Sequence, residues 1–205
     1  MRPPRPKAPA RPAPASVGQV RIIAGRWRGS KLPVADRPGL RPSSDRVRET
    51  LFNWLQPVLG GARVLDLFAG SGALGFEAAS RGAGDTVLVE KDAALAGSLR
   101  ESAARLGATA LRVECADALA WLGRPPATPF DLVFLDPQFE AGLWAAAIER
   151  LAPWLAADAR VYVESPADRV PEVPADWELL REGRTRDVRY ALYRVAGSAA
   201  NVSSA

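Results

Sequence analysis

Apolar residues in the central part of the chain fall into short runs that alternate with segments of helical spacing. The runs are RVLDLFA (63–69), DTVLVE (85–90), ALRVEC (110–115), DLVFLD (131–136) and RVYVES (160–165). The intervening segments, in which apolar positions recur at helical spacing, are 73–81, 92–106, 117–122 and 142–156. Nearly continuous apolar strands that alternate with helices are typical of a parallel sheet covered on both faces. The pattern therefore predicts an α/β fold.

Both ends of this region depart from the alternation. Towards the carboxyl terminus, WELLREG and VRYALYRV predict two antiparallel strands joined by a charged turn. Towards the amino terminus, residues 19–34 predict a small β-hairpin, and residues 45–56 predict a helix that Ser43 or Ser44 caps and Pro57 ends. A mostly parallel seven-stranded sheet that ends in an antiparallel pair resembles the Rossmann-like fold of class I S-adenosylmethionine-dependent methyltransferases.

Composition divides the chain into four parts. Residues 1–18 form a basic tail rich in proline and arginine, which we expect to be disordered, and we expect the same of residues 197–205. Residues 19–57 form the extension of hairpin and helix, and residues 58–196 form the methyltransferase-like domain. No apolar run approaches about 18 residues, so no membrane contact is expected. One cysteine and no secretory signal favour a cytoplasmic location.

Charge is distributed unevenly along the chain. Residues 1–50 carry 12 arginine and lysine residues against 3 acidic residues, whereas residues 51–205 carry 15 against 20. A basic front end on an acidic body predicts that the front end contacts a polyanion such as a nucleic acid.

The absence of histidine limits the chemistry that the chain can perform. None of the 205 residues is a histidine. Ser-His and Cys-His nucleophilic pairs, a histidine base and the commonest metal ligand are therefore excluded, and we expect no metal.

The segment AGSGALG (69–75) places glycines at the spacing of a dinucleotide-binding loop, and Glu90 follows about 20 residues later. Gly70 and Gly72 let the backbone turn tightly and approach a ligand closely. Asp66, in the strand before the loop, would repel the pyrophosphate of a dinucleotide but attract a cation. S-Adenosylmethionine carries an ammonium and a sulfonium and no phosphate, so it is the cofactor that these residues favour.

The acids at three strand ends, Asp66, Glu90 and Asp117, are then the main predicted cofactor contacts. A carboxylate at Glu90 accepts the two ribose hydroxyls, and Asp117 accepts from the adenine amino group. The neighbouring residues Phe68, Lys91 and Ala116 are predicted to complete the site.

The end of the fourth strand, Asp136-Pro137-Gln138-Phe139, indicates the reaction. It resembles the (Asp/Asn/Ser)-Pro-Pro-(Tyr/Phe) motif of methyltransferases that modify exocyclic amino groups of bases. The lone pair of such an amine is delocalised into the ring. Acceptors at the Asp136 carboxylate and the Pro137 carbonyl would bias the nitrogen towards a more nucleophilic form, and Phe139 would stack on the base. Gln138 replaces the usual second proline, which leaves the acceptor carbonyl in place.

GLRPSSDRVRETLFNWL (39–55), with RIIAGRWRGSKL, DLFAGSGALGFEAASRGA and DPQFE in that order, resembles the RsmD family over about residues 20–195. This resemblance implies methyl transfer to the exocyclic N2 of a 966-type guanine in 16S rRNA. The implied partner is the small ribosomal subunit or its assembly intermediate, and no obligate protein partner is evident. We expect a monomer.

The basic front end then has a predicted role in RNA binding. Arginine and lysine side chains contact phosphates, and an aromatic residue between two arginines can stack on a base or ribose. The predicted RNA-binding residues are Arg21, Arg26, Trp27, Arg28, Lys31, Arg41, Arg46 and Arg48.

Three other functions remain open from the residues alone. An adenine-N6 methyltransferase acting on DNA or RNA would use the same motif, although no separate target-recognition domain is visible. A non-catalytic RNA-binding protein could keep the fold, with Gln138 as the first sign of decay. A nicotinamide-dependent oxidoreductase would use the glycine loop, and tight NAD(H) binding without S-adenosylmethionine binding would identify it.

Overall fold

The computed structural model describes residues 18–35, 43–124, 128–137 and 142–196, which form nine strands and five α-helices. The strands are β1 (Gly18–Arg21), β2 (Lys31–Val34), β3 (Arg63–Asp66), β4 (Asp85–Glu90), β5 (Leu111–Cys115), β6 (Phe130–Leu135), β7 (Leu155–Pro166), β8 (Trp177–Arg184) and β9 (Val188–Val195). The helices are α1 (Asp45–Leu59), α2 (Ala73–Ser80), α3 (Ala93–Leu106), α4 (Ala118–Leu122) and α5 (Leu143–Leu151), and a 3-10 turn (Ala152–Trp154) follows α5. The predicted tails lie outside these ranges, except for Gly18.

Seven strands form one sheet in the order β5-β4-β3-β6-β7-β9-β8. All neighbours are parallel except β7–β9 and β8–β9, which are antiparallel. The prediction of a mostly parallel seven-stranded sheet with an antiparallel end is confirmed. Strand order reverses between β3 and β6, and ligands of open α/β sheets bind at the carboxyl ends of strands at such a point.

Helices cover both faces of this sheet. On one face α1 and α2 bury Leu55 and Leu74 against Phe134, while α3 packs Leu99 against Leu88. On the other face α4 and α5 pack against the alternate side chains of β3, β4, β6 and β7. The sheet whose strand ends carry the site therefore lies between two layers of helices.

Two helix ends differ from the prediction. Helix α1 continues through Pro57 to Leu59, so Pro57 lies in its last turn and does not end it. The helix predicted to reach residue 156 stops at Leu151 and passes into the 3-10 turn, because Pro153 has no backbone N–H with which to continue the α-helical hydrogen bonds. Trp154 then donates to the Leu122 carbonyl oxygen at 3.0 Å, and the chain enters β7 at Leu155.

The front-end hairpin is fixed to the domain through one buried carboxylate. Glu77 in α2 is fully buried and accepts hydrogen bonds from the backbone N–H groups of Ile23 (2.7 Å) and Ala24 (3.0 Å). Its two cationic partners are Arg81 (Nε at 2.6 Å) and Arg48 (Nη1 at 3.5 Å). The hairpin, α1 and α2 thus converge on a single ionic network.

None of the helices in the described ranges is both long and apolar enough to cross a membrane.

This network predicts a large difference between two arginines of α1. Arg48→Ala leaves Glu77 with less charge compensation in the interior, and it should lower the free energy of unfolding by about 3 kcal/mol. Arg46→Ala, which removes an exposed arginine from the same helix, should change it by less than about 0.5 kcal/mol. Urea unfolding of both variants measures this, and equal effects would contradict the buried network.

Candidate active site

Four acidic side chains meet at the carboxyl edge of the sheet on one face. Asp66 is paired in register with Leu88 of β4 and Phe134 of β6, and Phe134 is paired with Tyr162 of β7. Because side chains of a strand alternate between faces, residues two positions further on lie on the same face as Asp66. Those residues are Glu90, Asp136 and Glu164. All four acids line one cavity of about 400 Å³.

Asp66 combines a structural and an electrostatic role. It is buried, and its Oδ2 accepts the Gly75 N–H at 2.9 Å, in the first turn of α2, where the N-cap residue Gly72 has no side chain to do so. A carboxylate therefore occupies the helix end at which a dinucleotide would place its pyrophosphate. Burial, with a contribution from the charge of Glu90, raises the pKa of Asp66 to about 7 despite this hydrogen bond.

Glu90 is held rigidly by two backbone groups. Its Oε2 accepts the Gly70 N–H at 2.9 Å, and its Oε1 accepts the Asp92 N–H at 2.8 Å. Each carboxylate oxygen can accept a second hydrogen bond, so this residue can bind two hydroxyls without moving.

Asp117 lies at the next strand end, where it caps α4. Its Oδ1 accepts the Ala120 N–H at 3.0 Å, and the exposed side chain lines the cavity. Of the eight residues predicted to bind the cofactor, seven line this cavity. They are Asp66, Phe68, Gly70, Glu90, Lys91, Ala116 and Asp117.

Gly72, the eighth predicted cofactor residue, does not line the cavity. It is the N-cap of α2 with φ of 75°, in the left-handed region that favours glycine. A Cβ there would lie 2.6 Å from Leu99 Cδ2 and 2.8 Å from Phe76 Cδ2. The residue therefore acts on the shape of the loop and on its packing.

The two described residues of the predicted catalytic motif, Asp136 and Pro137, line the same cavity. Burial raises the pKa of the Asp136 carboxyl well above its usual range, and the charges of Glu164 and Asp66 raise it further. Gln138 and Phe139 lie outside the described residues.

Glu164 was absent from the predicted site. It is 5% exposed, and its Oε2 accepts hydrogen bonds from Ser43 Oγ (2.6 Å) and the Tyr162 hydroxyl (2.7 Å). Burial raises the pKa of Glu164, although both hydrogen bonds oppose this rise. Its position in RVYVES matches that of Asp136 in DLVFLD, near the end of an apolar strand, and this was the available signal.

The predicted RNA-binding residues have different environments. Arg21, Arg26, Arg28, Lys31 and Arg46 are exposed. Trp27 is half-buried, with its ring edge-on to Phe76. Arg41 lies outside the described residues.

The structure contradicts the prediction that Arg48 contacts RNA. The residue is 1% exposed, and its guanidinium donates to the Arg21 carbonyl oxygen (2.9 Å) and to Asp45 Oδ1 (2.7 Å) and pairs with Glu77. A side chain so enclosed has no surface on which to meet a phosphate.

In the described part of the chain, no group of three or more acidic or cysteine residues has an arrangement that could hold a metal ion.

Comparisons with known proteins relate this chain to methyltransferases. Residues 20–194 match the family model described as conserved hypothetical protein 95. The chain is 49% identical to "Ribosomal RNA small subunit methyltransferase D" of Escherichia coli K12 over 187 residues, which cover 90% of this chain and 94% of that protein. The protein of the same name from Haemophilus influenzae is 45% identical and covers 88% of this chain and 96% of its own length.

A solved structure of the yhhF protein of Escherichia coli has the same fold. It superposes with a TM-score of 0.80 at 49% identity, covering 88% of this chain and 99% of its own. The predicted class I methyltransferase architecture is confirmed by this similarity.

The loop geometry predicts opposite effects for two glycine substitutions. Gly72→Ala forces a side chain into a left-handed position against Leu99 and Phe76, and it should lower the free energy of unfolding by about 1–3 kcal/mol. Gly97→Ala, in the interior of α3 with open space around it, should raise it by about 0.5–1 kcal/mol. Thermal unfolding distinguishes the two, and a neutral Gly72→Ala would contradict the assigned loop conformation.

Proposed function

We propose that this chain, which belongs to the RsmD family, methylates the exocyclic N2 amine of a 966-type guanine in 16S rRNA, with S-adenosylmethionine as donor. The observation that carries this proposal is the position of Asp136 and Pro137 on the wall of the cavity that also holds Asp66, Glu90 and Asp117. The substrate would be the small ribosomal subunit or its assembly intermediate.

The cavity fits a cationic donor better than a phosphate-bearing one. The acidic Asp66 occupies the start of α2, and the acids that share its cavity favour positive charge. The second lone pairs of Glu90 suit ribose hydroxyls, and the Asp117 Oδ2 suits an adenine amino group. When bound, S-adenosylmethionine supplies a methyl group attached to a positively charged sulfur.

Asp136 and Pro137 then act on the base. The Asp136 carboxylate and the Pro137 carbonyl accept the two hydrogens of N2, which directs the nitrogen lone pair out of the ring plane towards the methyl group. As the bond from N2 to the methyl carbon forms and the methyl–sulfur bond breaks, N2 must lose one proton. Burial raises the pKa of Asp136, so this carboxylate is suited to accept that proton.

Exposed basic side chains of the front end would bind the RNA backbone. The lining of a groove of about 370 Å³ includes Arg21, Lys31, Ser43 and Asp45. Ser43 also lines the active-site cavity, so the groove and the cavity share one residue. Arg26, Arg28 and Arg46 would extend the basic surface, and a flipped guanine would pass from the groove into the cavity.

The proposed reaction is tested by methyl transfer from labelled donor to unmodified small subunits, followed by mapping of the methylated nucleotide. We expect label at N2 of one guanine. Asp136→Ala should lower the rate at least about 100-fold while the variant still binds the donor, because its carboxylate acts on the base. Asp176→Ala removes an exposed carboxylate before β8 and should leave the rate unchanged. Label on an adenine would refute the guanine assignment.

Donor affinity should depend on pH through Asp66. Burial raises its pKa to about 7, so the carboxyl is mostly neutral below that pH and a bound cation must displace the proton. Affinity for S-adenosylmethionine should therefore fall as pH decreases from 7 to 5.5, by up to about tenfold per unit. Calorimetry measures this dependence. Asp66→Asn should bind more weakly with a flatter profile, and a wild-type affinity independent of pH would contradict the role of Asp66.

RNA binding should depend on salt through the hairpin. The triple variant Arg26→Ala, Arg28→Ala, Lys31→Ala should bind rRNA more weakly, and the slope of log affinity against log salt should become shallower by about 2. As a control, a second triple variant removes the same total charge from β5, α5 and β8; its substitutions are Arg112→Ala, Arg150→Ala and Arg181→Ala. Filter binding over a salt series compares the two, and equal slopes would exclude the hairpin from the interface.

A further inference from the structure

Glu164 lies beside the proposed catalytic carboxylate. The register of β6 and β7 pairs Leu135 with Val163. Continued by one residue along each strand, this register brings Asp136 opposite Glu164. Neighbouring strands are about 4.8 Å apart, and both side chains lie on the same face of the sheet. Two carboxylates therefore share one end of the cavity.

The two carboxylate oxygens of Glu164 differ in their partners. Ser43 and Tyr162 both donate to Oε2, and among the described residues no donor is bound to Oε1. The side chain is 5% exposed and lines the cavity. Buried carboxylate oxygens normally find a hydrogen-bond donor, so Oε1 is placed to accept one from a ligand.

The other charged side chains of the cavity are already assigned to the methyl donor. Asp66, Glu90, Lys91 and Asp117 lie on the side of β3, β4 and β5, whereas Glu164 lies beyond Asp136 on β7. A donor group that reaches Glu164 must therefore come from the base that Asp136 holds.

Guanine presents two adjacent donors on one edge, the N1–H and the N2 amine, whereas adenine has a lone pair at N1. We infer that Glu164 is the specificity-determining residue of this site and that its Oε1 accepts the N1–H of guanine while Asp136 and Pro137 accept the N2 hydrogens. This inference rests on the proposed function. It explains a selectivity that Asp136 and Pro137 cannot supply, because they would accept hydrogens from any exocyclic amine.

Glu164 would therefore distinguish bases by the group at N1 rather than by the exocyclic amine. If N1 carries a lone pair, N1 and the Glu164 carboxylate are both acceptors and no proton lies between them. A buried polar site rejects a ligand that lacks the matching donor. Replacement of Glu164 by glutamine removes the charge and supplies an N–H that can donate to an unprotonated N1.

The test uses unmodified small subunits reconstituted with rRNA that carries either guanine or 2-aminopurine at the methylated position. 2-Aminopurine keeps the C2 amine and has a lone pair at N1. Wild-type protein should prefer guanine in kcat/KM by about 10-fold to 100-fold. Glu164→Gln should methylate guanine about 10-fold more slowly and lose most of that preference, while its affinity for S-adenosylmethionine should fall by less than that of Asp66→Asn. Glu101→Gln, an exposed substitution on α3 with the same charge change, should behave as wild type.

The outcomes separate this inference from the proposed function. Equal preference for guanine in wild type and Glu164→Gln would overturn the role of Glu164. Wild-type protein that methylates 2-aminopurine as fast as guanine would overturn it without any variant, which covers the case that Glu164→Gln does not fold. Wild-type protein that methylates no guanine in these particles would refute the proposed function itself.

Discussion

The site depends on the burial of several carboxylates within one cavity. Taking a carboxylate out of water is unfavourable unless hydrogen bonds or opposite charge compensate. Backbone N–H groups compensate at Asp66 and Glu90, and hydroxyl groups do so at Glu164. The compensation is incomplete, since burial still raises the pKa values of Asp66, Asp136 and Glu164. A cationic methyl donor and a base that offers N–H groups would supply further partners, so the electrostatics of the cavity favour those two ligands.

The front end is connected to this cavity by two buried acids. Glu77 binds the hairpin backbone and Arg48, which fixes the hairpin and α1 on α2. Ser43, directly before the α1 cap, donates to Glu164 inside the cavity. These contacts would fix the distance between RNA bound to the hairpin and the reacting amine in the cavity. Under the proposed function, this arrangement would let a small basic extension direct one nucleotide into the site.

Local patterns predicted most of the fold and many of the residues that line the cavity. The acids Asp66, Glu90 and Asp117 each follow or end an apolar strand, and parallel strands bring such positions to one edge. Long-range pairings could not be predicted in the same way. Arg48 lies at helical spacing from the buried Leu51 and Leu55, so the period of α1 places it on the buried face, but its pairing with Glu77, 29 residues further along the chain, could not be inferred from that spacing. Glu164 needed the β6–β7 register before its proximity to Asp136 could be inferred.

In the proposed reaction, Asp136 and Pro137 hold a guanine amine against a methyl donor bound over Asp66 and Glu90. A crystal structure of the protein with S-adenosylhomocysteine and its unmodified rRNA target would show whether they do. We expect the donor sulfur in the cavity between β3 and β6, with the guanine N2 about 3 Å from both the Asp136 carboxylate and the Pro137 carbonyl oxygen. Donor density in another cavity, or an Asp136 side chain directed away from the base, would contradict it.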